Sequence, residues 1–122
     1  MSVANGHRQG KVFRAEIPLP AVDNDGVAFA KGDIAWFEAG LRRIGAGFRT
    51  YEVRGVWEGE GMTYEESVVV YVVTFPADRL HELEALLDEA TAVFRQEAIL
   101  LEVSTVDMSL ITTNGTRPES VG

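Results

Sequence analysis

The chain has 122 residues, 46% hydrophobic and 25% charged, with a formal net charge of −8 and no cysteine. This suits one globular domain with a single two-layer core. The acidic balance argues against nucleic acid or anionic lipid as a partner, and the missing cysteines remove disulfides, thiolate nucleophiles and thiolate metal sites together. The first ten residues are polar and lack the apolar core of a signal peptide, and no stretch is long enough to span a bilayer. A cytoplasmic protein is expected, with a flexible N-terminal arm over 1–10, a folded domain over 11–111 and a polar tail over 112–122.

In chain order, Lys11 to Ile17 alternates as a first strand, with Phe13, Ala15 and Ile17 on one side and Arg14 and Glu16 on the other. Pro18 and Pro20 are expected to end its ladder. Ala21 to Lys31 is a turn-rich connection holding Asp23-Asn24-Asp25-Gly26. Asp33 then caps a predicted helix with the stripe Ile34, Phe37, Leu41 and Ile44, stopped by Gly45 and Gly47. Phe48 to Trp57 reads as the second strand, with Tyr51, Val53 and Trp57 in phase and Gly55 as a bulge. Glu58 to Met62 forms the tip before the third strand.

That third strand holds Ser67-Val68-Val69-Val70-Tyr71-Val72-Val73-Thr74-Phe75 and stays apolar on both of its faces. Pro76 ends it, and Asp78 is a predicted cap for a second helix carrying Leu80, Leu83, Leu87, Ala90 and Phe94 at helical spacing. Ala98 to Val106 returns as a strand, and Met108 to Ile111 extends it or adds a short edge strand. The order βαββαβ predicts an α+β, ferredoxin-like fold, an antiparallel sheet with both helices on one face. Val68, Val70 and Val72 line one face of this strand and Val69, Tyr71, Val73 and Phe75 the other, so one of the two sets is left on the face without helices. A twofold homodimer through that open face is the simplest cover, because closed symmetry prevents open-ended assembly.

Gly55-Val56-Trp57 with Gly61, Glu66-Ser67 leading into the valine strand, Pro76, and Phe94-Arg95-Gln96-Glu97-Ala98-Ile99-Leu100 together resemble the pattern of the small bacterial DUF3574 family. The resemblance runs from Phe48 to Val103. It implies a fold and no established activity, since the family is itself uncharacterised.

The candidate ligand site is Arg54, Trp57, Tyr64, Glu66 and Gln96, at one end of the sheet. Trp57 and Tyr64 would wall a pocket for a flat or cationic ligand, which the acidic tip of Glu58, Glu60, Glu65 and Glu66 would suit. Glu66, Ser67, Gln96 and Glu97 also admit a catalytic reading, with two carboxylates as acid and base and Gln96 as a donor to an oxyanion. The plainer reading is that Glu66 meets Arg54 or Arg49 across the strand pair and that Gln96 satisfies carbonyls at a helix end. For Trp36 and Trp57 the alternative to a ligand is a place in the core or a subunit contact.

Asp23-x-Asp25-Gly26 lacks the later ligands of a calcium loop and reads as a plain turn. His7 and His81 lack a second ligand at zinc spacing, so neither a metal nor a cofactor is expected. The expected function is a small homo-oligomeric domain binding a small molecule or a protein partner. The alternative is a small ferredoxin-like enzyme, a cofactor-independent monooxygenase or isomerase, using a cleft near Trp57 and Glu66.

Overall fold

The elements in order are β1 (Val12–Pro20), α1 (Lys31–Gly45), β2 (Arg49–Gly59), β3 (Met62–Pro76), a 3-10 turn (Ala77–Arg79), α2 (Leu80–Val93), β4 (Glu102–Val106), β5 (Ile111–Thr112) and β6 (Gly115–Thr116). The computed structural model describes residues 11–113 and the backbone of 115 and 116. His7 lies outside the described residues, as do the rest of the N-terminal arm and most of the tail.

β1 continues through the two prolines that were expected to end it, pairing with β3 as far as Pro20 opposite Val68. The reason is the side to which each residue aims its backbone groups. Beyond the strand end the Ala21 N–H donates to the Ser67 carbonyl at 3.1 Å. Alternation then turns the nitrogens of Pro20 and Pro18, one and three residues away along the strand, to the opposite side. No donor is lost from the β1–β3 ladder. The cost falls on the β1–β4 ladder, which stops at Glu16 opposite Glu102. The last long strand is accordingly Glu102–Val106 and not Ala98–Val106, while Ile99 and Leu101 pack against the core without pairing. β5 and β6 form a separate two-stranded sheet, where a polar tail was expected to begin at Thr112.

The main sheet has the order β2-β3-β1-β4 with antiparallel neighbours throughout. Ala15, Ile17 and Leu19 of β1 and Tyr71, Val73 and Phe75 of β3 form one buried cluster with Phe37, Leu41 and Ile44 of α1 and Leu83, Leu86, Leu87 and Ala90 of α2. Both helices therefore lie on one face, and the fold is ferredoxin-like. Tyr71 is buried in this layer, and its hydroxyl donates to Glu38 at 2.8 Å. Burial, reinforced by the Glu38 carboxylate, raises the phenol pKa and keeps it a donor.

Val68, Val70 and Val72 point away from the helices, since Tyr71, Val73 and Phe75 take the core side. Val68 and Val72 are nevertheless 9% and 3% exposed. Val72 lies between Arg49 and Glu16 in the register, whose long stems flank it. Val68 lies between Val53 and Pro20. Gly55 makes no bulge, since the β2–β3 register runs unbroken through Gly55 opposite Glu66. A Cβ at Gly55 would stand 3.0 Å from a Val68 methyl and 3.9 Å from the Trp57 ring. The glycine thus lets the indole lean back toward the valine.

The helix ends differ from expectation. α1 starts at Lys31 with Ala30 in the capping position and no side-chain cap, so Asp33 lies inside the first turn, where a negative charge still favours the helix dipole. Asp78 falls in the 3-10 turn, and Arg79 precedes α2 without a side-chain cap. At the C-terminus of α1 the left-handed residue is Ala46, with φ of 63°, rather than a glycine. Arg79 closes that end from across the fold, donating to the Arg43 and Ile44 carbonyls at 2.9 and 3.2 Å while Glu82 holds its guanidinium at 2.7 and 2.9 Å. Carbonyls that a helix leaves unpaired are thus satisfied by a residue thirty-odd positions later.

The Asp23 turn is a structural latch. One carboxylate oxygen accepts the backbone N–H groups of Asp25 and Val27, both at 2.9 Å, and the other accepts Arg95 from the end of α2. Gly26 supplies the positive φ of 79° the turn needs. The Val27 N–H, against an opposing effect of burial and helped by Arg95 and the Asp25 N–H, lowers the Asp23 pKa below its ordinary value. A depressed folded-state pKa contributes stability above the unfolded-state pKa, and this is lost as pH falls through the folded value. We expect denaturation at pH 7 and pH 3 to show a drop in stability that is smaller in Asp23→Asn. An equal drop in both chains would remove Asp23 as a source of acid sensitivity.

Candidate functional site

The β2–β3 hairpin outruns the rest of the sheet. β1 partners β3 only from Val68 onward, while β2 follows β3 to Gly59 opposite Met62. The hairpin closes on Glu60 and Gly61, with φ of 51° and 74°, the two positive values of a tight turn whose twist matches its strands. Because its register is set there, every residue of the projecting ribbon is assigned to a face.

On the face without helices stand Tyr51, Val53, Gly55 and Trp57 of β2 with Met62, Tyr64, Glu66, Val68 and Val70 of β3. Trp57 and Tyr64 are directly opposite and stacked, centroids 5.8 Å apart and planes 18° from parallel. Tyr51, Val53, Trp57 and Met62 remain exposed, from 43% to 59%. Glu66 neighbours the stacked pair on this face. The exposed apolar surface is therefore centred on the hairpin more than on the valines of the central strand.

At the hairpin base an open groove of about 750 Å³ is lined by residues of both faces, Ala21, Glu52, Arg54, Glu65, Ser67 and Val69 together with Val53, Glu66 and Val68. Arg54 pairs with Glu65 at 3.2 Å, both side chains largely exposed, so the carboxylate it meets is Glu65 and neither Glu66 nor a more distant residue. Further out, the Thr63 hydroxyl donates to Glu58 at 2.6 Å. The groove could hold a small polar molecule against Glu52, Ser67 and the Arg54–Glu65 pair.

Of the candidate residues, Trp57, Tyr64 and Glu66 come together on one face, Arg54 lies on the other, and Gln96 does not line the groove. The Gln96 side chain donates to the Phe94 carbonyl at 3.0 Å, where it helps close α2. Trp36 packs in the helix layer, its ring 6.5 Å from both Phe37 and Phe94. Sequence reasoning overlooked Ala21 and Glu52 at the groove. The only available signal for Glu52 was hairpin alternation counted back from the Glu60-Gly61 turn. Among the described residues no group of three or more His, Asp or Glu is placed to hold a metal ion, and no helix is long and apolar enough to cross a membrane.

No family model matches the chain and no curated protein matches it. Solved structures do match. A phage SAM lyase in complex with S-methyl-5′-thioadenosine is 19% identical, with a TM-score of 0.60 over 84% of this chain and 95% of that one. The periplasmic divalent cation tolerance protein CutA from Archaeoglobus fulgidus is 11% identical, with a TM-score of 0.59 over 81% and 87%. CutA1 from Oryza sativa is 12% identical, with a TM-score of 0.58 over 83% and 84%. What they share with this chain is the fold. It hosts both a lyase and a cation tolerance protein, so it does not choose a chemistry.

Proposed function

We propose that this chain is a self-associating binding domain, in which a second copy covers the open sheet face and a small flat molecule, neutral or cationic, is held where that boundary meets Trp57. The observation that carries the reading is the projecting hairpin, with Tyr51, Val53, Trp57 and Met62 exposed on the same face as the stacked Trp57–Tyr64 pair. A ribbon of this kind cannot bury its own apolar side, and exposed contiguous apolar surface marks an interaction site. A twofold homodimer is the simplest closed arrangement. Kinship with the DUF3574 family over Phe48 to Val103 is proposed alongside, and adds no activity.

Light scattering behind size-exclusion chromatography, over about a hundredfold range of concentration, tests self-association. The expected result is a dimer mass that persists on dilution into the micromolar range, typical of a specific interface. A single-chain mass at the highest concentration would overturn it. For the ligand, S-methyl-5′-thioadenosine, held by one fold neighbour, is a suitable first probe. Calorimetry is expected to show binding to the parent chain, weakened about tenfold or more, equivalent to ~1.4 kcal/mol, in folded Trp57→Ala and Glu66→Gln variants. No binding to the parent removes this ligand class, and equal binding by all three chains removes the site.

A further inference from the structure

Resting on the self-association proposed above and deepening it, we infer that the second copy is seated by a charge pair between Arg49 of one subunit and Glu102 of the other, on an axis running along the strands between β3 and β1. The pairing register places Arg49, Val72, Glu16 and Glu102 in one row across the sheet, from the β2 edge to the β4 edge. All four point away from the helices, since their neighbours Ala15, Tyr71 and Val73 form the core. The row is polarised, with a cation at one edge and two acids at the other.

Glu16 and Glu102 are direct cross-strand partners, and like charges so placed repel. Neither side chain forms a hydrogen bond or ion pair among the described residues. Arg49 gives its Nε to the Tyr51 hydroxyl at 3.0 Å and has no carboxylate partner among the described residues. In the next row toward the first residues of β1, Arg14 stands between Thr74 and Ser104, with its Nε shut from solvent and without an acceptor. A single chain thus leaves an unpartnered buried donor, a pair of repelling acids and an unpaired cation on one surface.

Laying the same face upon itself gives the cation an acid of the other copy, while Glu16 comes over the partner's Val72. With the twofold axis between β3 and β1, β2 of one copy lies over β4 of the other and β3 over β1. Arg49 then meets the partner's Glu102, twice by symmetry, as an isologous contact requires. In the neighbouring row Arg14 comes over the partner's Thr74. The apolar rows also match: Val70 and Val68 face Pro18 and Pro20 of the other copy, and Tyr51 faces Leu100, which is 58% exposed and two residues before Glu102. Opposite charges facing each other across such a contact set its register more than its strength.

The test is a charge swap at two exposed positions, with circular dichroism confirming that each variant is folded. Arg49→Glu and Glu102→Arg alone are each expected to weaken self-association at least tenfold in sedimentation velocity. The double variant R49E/E102R, and an equimolar mixture of the two single variants, are expected to restore it. An oligomeric parent whose single variants associate unchanged, or whose double variant and mixture stay dissociated, would overturn the charge pair and leave self-association standing. A monomeric parent would overturn both.

Discussion

Replacing Phe94 by alanine is expected to lower stability by about 3–5 kcal/mol, the range for emptying an aromatic site in a core that cannot fully collapse. Phe94 is fully buried, and its ring lies 5.0 Å from Phe29, 5.7 Å from Phe37 and 6.5 Å from Trp36. These neighbours belong to the connection after β1 and to α1, so the one ring ties three segments together. It also stands immediately before Arg95, whose φ of 54° turns the chain out of α2 and carries the guanidinium that Asp23 accepts. Loss of the ring should loosen the same end of the fold that the latch secures. Domains of this size are stable by only about 5–15 kcal/mol in all, and urea unfolding monitored by circular dichroism reads the change directly. A loss under about 1 kcal/mol would mean that the cluster closes over the vacancy and that the aromatic contacts add little.

Gly45→Ala is expected to cost about 1–3 kcal/mol or more, the usual penalty for overpacking. The result is informative because propensity alone predicts the opposite, alanine being favoured over glycine in helices by about 1 kcal/mol. Sterics should win here. A Cβ on Gly45 would fall 2.4 Å from a Val73 methyl and 2.7 Å from the Thr74 carbonyl oxygen, and the latter is backbone of a central strand that cannot step aside. Gly40→Ala is the control. The nearest atoms to its Cβ would all be side-chain atoms of Leu86, the methyls at 2.7 and 2.9 Å and the branch carbon at 3.4 Å, which can rotate, so its loss should be smaller by about 1 kcal/mol or more. Equal losses in the two variants would show that α1 shifts as a body and that strand contact does not set its distance from the sheet.

Gly45 also shows why a correct local expectation can have the wrong cause. The helix ends where the glycines suggest, but the left-handed residue is Ala46, and Gly45 is small because α1 comes down onto β3 there. A single-chain pattern cannot tell a glycine needed for its dihedral freedom from one needed for close approach. The prolines of β1 pose the same difficulty. Pro18 and Pro20 were legible as ladder-breakers, yet which ladder they break depends on the side their nitrogens face, and that follows from the partner strand.

The candidate site was legible in part. Trp57, Tyr64 and Glu66 reach one face because the Glu60-Gly61 turn and strand alternation are local properties. Arg54 is near them in sequence, but alternation sends it to the other face, where it meets Glu65. Gln96 follows a helix end, and its side-chain amide is taken up there by the Phe94 carbonyl.

By itself the sequence determined the order of strands and helices, the two faces of the valine strand and the apolar stripes of both helices, because periods of two and 3.6 are written between near neighbours in the chain. Only the tertiary structure decided what stands beside what: Asp23 with Arg95, Arg79 on the carbonyls of α1, Glu16 against Glu102, and a hairpin that projects past its sheet. Those contacts join residues distant in sequence, and they depend on the register and layer spacing that the packed fold imposes.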